Sequence, residues 1–370
     1  MEYRALVLTS HDRPPILERR AKPTPKSGEA IVRILTVAVV PYMGEILDGS
    51  RGYPLSLPLT PGGSAIGRIE EVGPDAVHLA KGQLVFCDVT IRARDNPSVS
   101  ILFGIHGGGY PEAQKLMDGE WRDGTYSEFA KFPLENLYPL NENVLLNQRG
   151  FTVPELAALA VCLVPFGGLS EIGLSPGDSV IVAPATGYYG GAAVSVAIAM
   201  GATVVAAGRN KAALDNLAAV YALTGRLKTV VLSGNSAEDT DALRRASLNP
   251  EGADAFIDLS PPEAANATHI TSAMCALRPF GKCVLMGGAK GTFEFPYLTI
   301  MFKNLRIQGR FMYERDHILK LIKLIERGSL GLGKAIGIKN LQKFDLDHAM
   351  DAVKAAAASK GWGSQVLLTP

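Results

Sequence analysis

The pattern of hydrophobic and polar positions changes near residue 154. Before this point, β-rich runs such as residues 31–40 are separated by glycine- and proline-containing turns, which predicts strands and loops. After it, strand patterns (179–184, 203–207, 229–232, 255–258, 282–286) alternate with helical ones (192–200, 211–223, 237–247, 264–277). This alternation predicts an α/β fold with a doubly wound parallel sheet. Two further helices are predicted at 316–326 and 347–359, and a final strand at 364–369.

Residues 179–208 carry no charged side chain, which raises the question of a membrane span. Pro184 and several glycines divide this run into pieces shorter than the ~20 apolar residues that a span requires. A parallel strand buried on both faces, followed by a buried helix and a second strand, gives the same composition. We therefore predict a buried strand–helix–strand unit and no membrane segment.

Charge and cysteine content narrow the class of protein further. The 37 Lys and Arg residues nearly balance the 36 Asp and Glu residues, so the net charge of +1 gives no reason to expect nucleic acid or a membrane as partner. Four cysteines among 370 residues are too few for a disulfide framework. No secretory signal pattern is visible at the start. We expect a cytoplasmic protein with one large domain or two domains.

A glycine-rich turn follows the first buried strand: residues 185–191 are Ala-Thr-Gly-Tyr-Tyr-Gly-Gly. This is a variant of the dinucleotide-binding fingerprint, in which glycine lets the backbone approach a pyrophosphate and lets the helix pack on the strand. The amides of residues 190–192 would lie at a helix N-terminus, where anions bind. The alternative is a merely tight strand–helix turn. We predict a cofactor site that includes Thr186, Gly187, Tyr188, Gly190 and Gly191.

The end of the second strand indicates which dinucleotide would bind. An NAD site usually has Asp or Glu there for the ribose 2′-hydroxyl. This chain has Gly208, Arg209, Asn210 and Lys211, with no carboxylate and two cations, which favours the 2′-phosphate of NADPH. The alternative is a solvated helix start, where Arg and Lys are common. Gly287 and Gly288, after the strand at 282–286, complete the predicted cofactor site.

Several turn–strand patterns together resemble the medium-chain dehydrogenase/reductase superfamily. They are Pro61-Gly62, residues 67–73 (Gly-Arg-Ile-Glu-Glu-Val-Gly), residues 124–129 (Gly-Thr-Tyr-Ser-Glu-Phe), residues 176–180 (Pro-Gly-Asp-Ser-Val) and residues 252–258. The resemblance implies a Rossmann domain, residues 155–296, inserted in a GroES-like β-rich catalytic domain made of residues 1–154 and 297–370.

The resemblance also bears on metal binding. The zinc-dependent alcohol dehydrogenases of the superfamily use two Cys and one His as catalytic ligands, and the matching positions here are Val40, Gly63 and Cys162. One soft ligand does not hold zinc against water. The region of the structural zinc lobe has only Cys87. We predict no metal site and a zinc-independent member, with Cys162 as a small buried residue.

Zinc-free members of the superfamily are mostly reductases of enones, quinones or enoyl thioesters. Tyr42 matches the position of the proton-relay Ser or Thr in the zinc enzymes, and Tyr53 resembles a tyrosine of the enoyl-thioester reductases. We predict that one of them donates a proton or binds the oxyanion, and that the Tyr42 hydroxyl faces the nicotinamide across the domain cleft. Alternatively, either ring only packs in the wall of the pocket.

The prediction for the whole chain is therefore an NADPH-dependent, zinc-independent reductase of an activated C=C bond in an α,β-unsaturated carbonyl. A zinc-free ketone or aldehyde reductase (a secondary alcohol dehydrogenase) and a non-catalytic NADPH-binding protein are the alternatives. Residues 92–121 are predicted to form a long irregular excursion. Residues 292–295, beside 305–307, resemble the edge through which relatives dimerise, so a homodimer is one expected assembly.

Overall fold

The computed structural model describes residues 1–264 and 267–370. The chain divides into two compact units. Unit 1 comprises Met1–Ala160, Lys339–Lys360 and Ser364–Pro370, and unit 2 comprises Val161–Ile338 and Gly361–Gly363.

The elements are numbered in chain order. The strands are β1 (Glu2–Val7), β2 (Ile16–Ala21), β3 (Glu29–Ala38), β4 (Ala65–Val72), β5 (Leu84–Cys87), β6 (Thr90–Arg92), β7 (Ser100–Leu102), β8 (Phe129–Pro133), β9 (Leu137–Pro139), β10 (Ser179–Ala183), β11 (Thr203–Gly208), β12 (Leu227–Val231), β13 (Ala253–Asp258), β14 (Leu277–Leu285), β15 (Arg306–Gly309), β16 (Asn340–Phe344) and β17 (Ser364–Leu368). The α-helices are α1 (Met43–Leu47), α2 (Pro111–Asp118), α3 (Val153–Leu156), α4 (Ala158–Glu171), α5 (Tyr188–Ala199), α6 (Lys211–Tyr221), α7 (Ser236–Ala246), α8 (His269–Cys275), α9 (Tyr297–Phe302), α10 (Arg315–Glu326) and α11 (Ala349–Ala358). Short 3₁₀ turns cover Leu134–Asn136, Ala222–Thr224, Pro262–Ala264, Gly333–Ile336 and Leu346–His348, and a π-helical turn covers Asn143–Gln148.

Unit 2 is built on a six-stranded sheet in the order β12-β11-β10-β13-β14-β15, with every pair parallel. Every residue of β10 is buried, as expected of a central strand covered by helices on both faces. The strand order reverses between β10 and β13. In doubly wound sheets, ligands bind at the carboxyl ends of the strands beside this reversal. The predicted α/β fold with a Rossmann sheet is confirmed.

Unit 1 is built on a seven-stranded sheet in which β16-β17-β3-β4-β5-β9 lie side by side and β8 also pairs with β3. All pairs except β16 with β17 are antiparallel. Along β4, residues 65–67 and Ile69 are buried, whereas Glu71 is exposed. This is the β-rich unit that the sequence predicted.

The second boundary between the units differs from the predicted one. Unit 2 extends to Ile338, whereas the predicted Rossmann domain ended at residue 296. The reason is β15, which pairs in parallel with β14 and so extends the sheet. The first boundary follows Ala160, close to the predicted position after residue 154.

Three local predictions need correction. The excursion at 92–121 is not irregular, because β7 pairs with β6 and α2 begins with Pro111 and buries Ala113 and Met117. Residues 292–295 form no strand, and the edge strand is β15. Of the helix predicted at 264–277, the structure shows α8, preceded by a 3₁₀ turn, while residues 265–266 lie outside the described residues.

One described segment, Val153–Glu171, which contains α3 and α4, is long and apolar enough to cross a membrane by length and composition. Within it, 67% of the most apolar window is buried inside the protein, a property that core helices share. By itself this segment is weak evidence for a membrane.

Candidate functional site

The glycine-rich turn of unit 2 connects β10 to α5, at the carboxyl end of a central strand. Gly187 is the N-cap residue of α5, and no side chain caps this helix end. A Cβ atom built on Gly187 would have no atom within 4 Å, whereas one on Gly190 would lie 2.0 Å from the Pro184 carbonyl oxygen. Gly187 therefore leaves open space beside the helix N-terminus, and Gly190 allows the helix to pack on the strand. Both features fit the roles that the fingerprint assigns to these glycines.

Gly191 has a different role from the one predicted. Its N–H donates to the Gly187 carbonyl at 3.0 Å, and its own carbonyl accepts from the Ser195 hydroxyl at 2.8 Å. A Cβ atom on Gly191 would lie 2.0 Å from Cγ of Trp362. Its N–H, its carbonyl and its Cα face are thus all engaged within unit 2, which leaves no group for a pyrophosphate. Because α5 begins at Tyr188, the amides of its first turn are those of residues 188–190 rather than 190–192.

Thr186 links the turn to its surroundings. Its carbonyl accepts from the Trp362 N–H at 2.9 Å, and its side-chain oxygen lies 3.5 Å from where a Cβ on Gly208 would stand. The next residue but one, Tyr188, is buried and packs edge to face on Tyr189, with ring centroids 5.1 Å apart. The ends of β10 and β11 therefore meet at this turn.

The end of β11 carries the two predicted cations. Arg209 is exposed and makes no hydrogen bond or ion pair with any described residue. Asn210 caps α6, since its side-chain oxygen accepts from the Ala213 N–H at 3.0 Å. Lys211 forms an ion pair with Asp215 at 2.7 Å, which partly offsets its charge. Arg209 is therefore the better available partner for an anion.

A buried polar cluster that the sequence did not reveal lies between the end of β13 and the start of α8. The Ser260 hydroxyl bonds to the Asp258 carboxylate and lies 2.7 Å from Nε2 of His269. Asp258 is 3.6 Å from that same ring nitrogen, unlike the carboxylate of a hydrolase triad, which bonds the other nitrogen. The cluster is therefore a hydrogen-bonded tie between the end of β13 and the start of α8.

The predicted Gly287 and Gly288 belong to this tie. A Cβ atom on Gly287 would lie 2.5 Å from the Asp258 carboxylate, and the Gly288 N–H donates to the Ser260 carbonyl at 2.7 Å. The two glycines therefore have a packing role beside the reversal of strand order, where the fold places its ligands.

In unit 1, the two candidate tyrosines meet at one arginine. The guanidinium carbon of Arg51 lies 3.8 Å from the centre of the Tyr42 ring and 5.3 Å from that of the Tyr53 ring. Tyr42 is the N-cap residue of α1. The backbone N–H of Arg51 donates to the Glu45 carbonyl at 2.9 Å, and this hydrogen bond turns the chain back after the helix. His106 packs on Tyr53, with ring centroids 4.4 Å apart.

The electrostatics of this cluster follow from its partial burial. Burial by itself lowers the pKa of Arg51, but its hydrogen bond to Tyr53 and its pairing with Glu45 at 2.9 Å outweigh this, so the pKa is raised overall. Burial lowers the pKa of His106, so the ring is neutral at pH 7. Because the Gly108 N–H donates to its Nδ1 at 2.9 Å, the ring proton is on Nε2. The cluster thus offers a fixed cation, two phenols and a neutral N–H donor.

Arg51 and His106 were missed by sequence reasoning. The only available signal was a cation two residues before Tyr53. His106 comes from the excursion at 92–121, and its position depends on the hydrogen bond from the Gly107 N–H to the Pro54 carbonyl at 2.7 Å.

The residues at the expected zinc-ligand positions do not fit a zinc ion. Val40 and Gly63 have no donor atom in their side chains. Cys162 is fully buried in unit 2, and burial raises the pKa of its thiol to about 12. Across residues 1–264 and 267–370, no group of three or more His, Cys, Asp or Glu side chains is arranged to hold a metal.

The two units, one β-rich and one with a parallel sheet and a glycine-rich turn, define a dinucleotide-binding protein of the Rossmann class with a GroES-like unit. Residues 26–142 match the alcohol dehydrogenase GroES-like domain, and residues 190–327 match the family described as zinc-binding dehydrogenase. Together these two matches cover more than two thirds of the chain. The chain belongs to the medium-chain dehydrogenase/reductase superfamily.

Two curated relatives illustrate the range of similarity. "Probable D-xylulose reductase A" of Aspergillus fumigatus is 30% identical over 240 residues, or 64% of this chain and 62% of that protein. The match thus spans less than two thirds of that relative. The NAD-dependent alcohol dehydrogenase of Sulfurisphaera tokodaii is 25% identical over 99% of both chains.

Solved structures share the fold over the whole chain. One is a thermostable alcohol dehydrogenase from Pyrobaculum aerophilum with bound cobalt and zinc, with a TM-score of 0.73 at 19% identity and complete coverage of both chains. Another, described as a zinc-binding dehydrogenase from Sinorhizobium meliloti 1021 and bound to NADP, has a TM-score of 0.78, also at 19% identity with complete coverage.

Proposed function

We propose that this protein is an NADPH-dependent, zinc-independent oxidoreductase that reduces the activated C=C bond of an α,β-unsaturated carbonyl compound. The observation that carries the proposal is the cluster of Tyr42, Arg51 and Tyr53, which places a guanidinium against two tyrosine rings. Among the described residues, no group of His, Cys, Asp or Glu side chains is arranged to hold a metal. A reductase without a metal Lewis acid must stabilise negative charge with hydrogen-bond donors and cations, and this cluster supplies both.

The reaction consumes one NADPH and one proton for each C=C bond that is reduced. When bound, NADPH supplies the hydride that reaches the β-carbon of the substrate. The developing charge on the carbonyl oxygen is then stabilised by a tyrosine hydroxyl and by the positive charge of Arg51. Tyr42 or Tyr53 donates the proton that completes the saturated product, and it regains a proton from solvent.

The choice of NADPH rests on Arg209. It is an exposed guanidinium without a partner among the described residues, at a strand end that has no carboxylate for the ribose 2′-hydroxyl. Arg209→Ala removes a charged hydrogen-bonding group worth ~1.5–3 kcal/mol, so NADPH should bind about 10- to 100-fold more weakly. NADH affinity should be nearly unchanged. Wild-type protein that binds NADH as tightly as NADPH would contradict the assignment.

A second candidate reaction is the reduction of a ketone or aldehyde. The names of the relatives, alcohol dehydrogenase and D-xylulose reductase, favour it. In that reaction a tyrosine hydroxyl would donate directly to the carbonyl oxygen. Incubating the protein with NADPH and either an enone or its saturated ketone, with products identified by mass, separates the two reactions. Consumption of neither compound would favour a non-catalytic NADPH-binding protein.

The roles of the tyrosines are tested by removing one hydroxyl at a time. Tyr42→Phe and Tyr53→Phe keep the ring volume, and the more important donor should lower turnover at least about tenfold while NADPH affinity is retained. If both single variants and the double variant keep wild-type turnover when hydride transfer limits the rate, neither tyrosine is catalytic.

Zinc independence is tested on the purified protein. We expect less than about 0.1 equivalent of zinc and no effect of a chelator on activity or melting temperature, because bound structural zinc contributes to folding. Stoichiometric zinc that survives dialysis would overturn this part of the proposal.

We further propose that the protein is cytoplasmic and forms a homodimer through β15. This strand is the edge of the six-stranded sheet, and all four of its residues are exposed. Large apolar side chains near it in the chain, including Tyr297 and Phe302, are also mostly exposed. An exposed edge strand with apolar neighbours is suited to pairing with the same strand of a second copy.

A further inference from the structure

A three-residue strap, Gly361–Gly363, packs on the glycine-rich turn of unit 2. The strap is grouped with unit 2, although the residues on either side of it, Lys339–Lys360 and Ser364–Pro370, belong to unit 1. Gly361 forms an antiparallel bridge with Gly187, and the Trp362 N–H donates to the Thr186 carbonyl at 2.9 Å. The backbone of the turn is thus held from outside its own strand and helix.

The indole of Trp362 is held by a hydrogen bond and by close packing on Gly191. Its Nε1–H donates to the Ile336 carbonyl at 2.7 Å. Its ring lies over Gly191, where a Cβ would stand 2.0 Å from Cγ and 2.2 Å from Cδ2. The space above Gly191 is therefore filled by the indole. This explains why a second glycine follows Gly190, whose own missing side chain faces the Pro184 carbonyl.

We propose that Trp362 is a positioning residue for the cofactor: it holds the Thr186–Gly187 backbone in the conformation that receives the pyrophosphate. Toward β11, the turn is tied by the Ala185 N–H, which donates to the Ala207 carbonyl at 2.8 Å. The strap supplies the ties at the next two residues, 186 and 187. Without it, the cofactor would have to order these two residues on binding, which weakens affinity.

This inference rests on the proposed binding of NADPH and deepens it. The pyrophosphate is common to NADPH and NADH, so the strap should support both, whereas Arg209 should affect only NADPH. The affinity of the wild-type protein therefore tests the proposed cofactor, and the ratio of variant to wild-type affinity tests the strap.

The experiment is a double-mutant cycle, with dissociation constants for NADPH measured by titration calorimetry well below the melting temperature. Trp362→Ala removes the indole but keeps the backbone hydrogen bonds of the strap, so it should weaken binding about tenfold, the effect of ordering one of the two residues rather than both. Gly191→Ala should cause a similar loss because its methyl group displaces the indole, although alanine favours a helix more than glycine does. Trp362→Phe, which restores a ring over Gly191, should recover part of the affinity.

The double variant decides the question. If Gly191→Ala acts only by displacing the indole, adding it to Trp362→Ala should cause no further loss. Losses that multiply to about 100-fold would show that the two residues act independently and would overturn the proposal. So would a folded Trp362→Ala variant that binds NADPH within twofold of wild type. If Trp362→Ala does not fold, the affinities of Trp362→Phe and Gly191→Ala are compared with that of the wild-type protein. Wild-type affinity in both variants would overturn the proposal. The control is Trp121→Phe, which removes the only other tryptophan and should leave affinity unchanged.

If the wild-type protein prefers NADH, the same cycle is run with NADH: the proposed cofactor is then wrong while the strap is still tested. Binding of neither nucleotide would overturn both proposals.

Discussion

Two glycines three residues apart in the same turn should respond in opposite ways to the same substitution. The pair is Gly187→Ala and Gly190→Ala. A methyl group at 187 would have no atom within 4 Å, and the φ of −80° there suits any residue. A methyl group at 190 would lie 2.0 Å from the Pro184 carbonyl oxygen and 2.9 Å from the carbonyl carbon of Ala185. Both of these are backbone atoms, so no side-chain rotation can relieve the overlap.

The expected magnitudes follow from these contacts. Overpacking against the backbone should cost Gly190→Ala about 2–3 kcal/mol of unfolding free energy. For a unit of this size, each kcal/mol lowers the melting temperature by about 2–4 °C, so a loss of about 5–10 °C is expected. Gly187→Ala should lower the free energy of unfolding by at most about 1 kcal/mol, because alanine is a poorer N-cap residue than glycine. Its methyl group would occupy the space left for the pyrophosphate and should weaken NADPH binding at least about tenfold.

The assay combines calorimetric melting of the cofactor-free variants with NADPH titration at 25 °C. Gly109→Ala serves as a control, because a Cβ atom there would have no atom within 4 Å and the backbone of Gly109 is outside the left-handed region. If Gly187→Ala keeps wild-type affinity, the open space beside it is not the path of the pyrophosphate. If Gly190→Ala melts like wild type, the close contact of α5 with the end of β10 is wrong.

Three further predictions concern other parts of the chain. Arg51→Met should lower turnover about tenfold or more with NADPH affinity unchanged, since it removes the cation that touches both tyrosine rings; equal turnover of the variant would exclude this role. Burial raises the pKa of Asp254, but hydrogen bonds from Ser179 and Arg278 outweigh it, so the pKa is lowered below 3.8. Asp254→Asn should therefore lower the free energy of unfolding at pH 7 by about 1–3 kcal/mol, as measured by denaturant melts. The difference from wild type should vanish as the pH falls below the lowered pKa, because a carboxyl group with a depressed pKa stabilises the fold only while it is ionised. A pH-independent difference would refute this. Ile307→Lys on β15 should convert a dimer to a monomer in sedimentation analysis, and an unchanged sedimentation coefficient would rule out pairing through this strand.

Much of unit 2 could be predicted from local patterns. The central strands β10, β11 and β13 are almost wholly buried and therefore appear as continuous apolar runs, and the glycine-rich turn between β10 and α5 is contiguous in the sequence. The residues at the end of β11 could also be predicted, because which residue follows a strand depends only on its position in the sequence. The edge of the sheet was harder to predict. Because β15 is short and its four residues are exposed, no apolar run marks it, and the predicted domain boundary came too early.

The sequence by itself determined the kind of fold, the glycines that leave room at the turn and the missing donors at the zinc positions, because each depends on residue type and local order. Only the tertiary structure decided which side chains meet. Arg51 reaches Tyr42 because the chain reverses after α1, and His106 reaches Tyr53 through a hydrogen bond between backbone segments about 50 residues apart. Trp362 covers Gly191 across 171 residues of chain. Contacts of this kind leave no periodic pattern in the sequence, since each depends on the packing of distant segments rather than on the propensities of neighbouring residues.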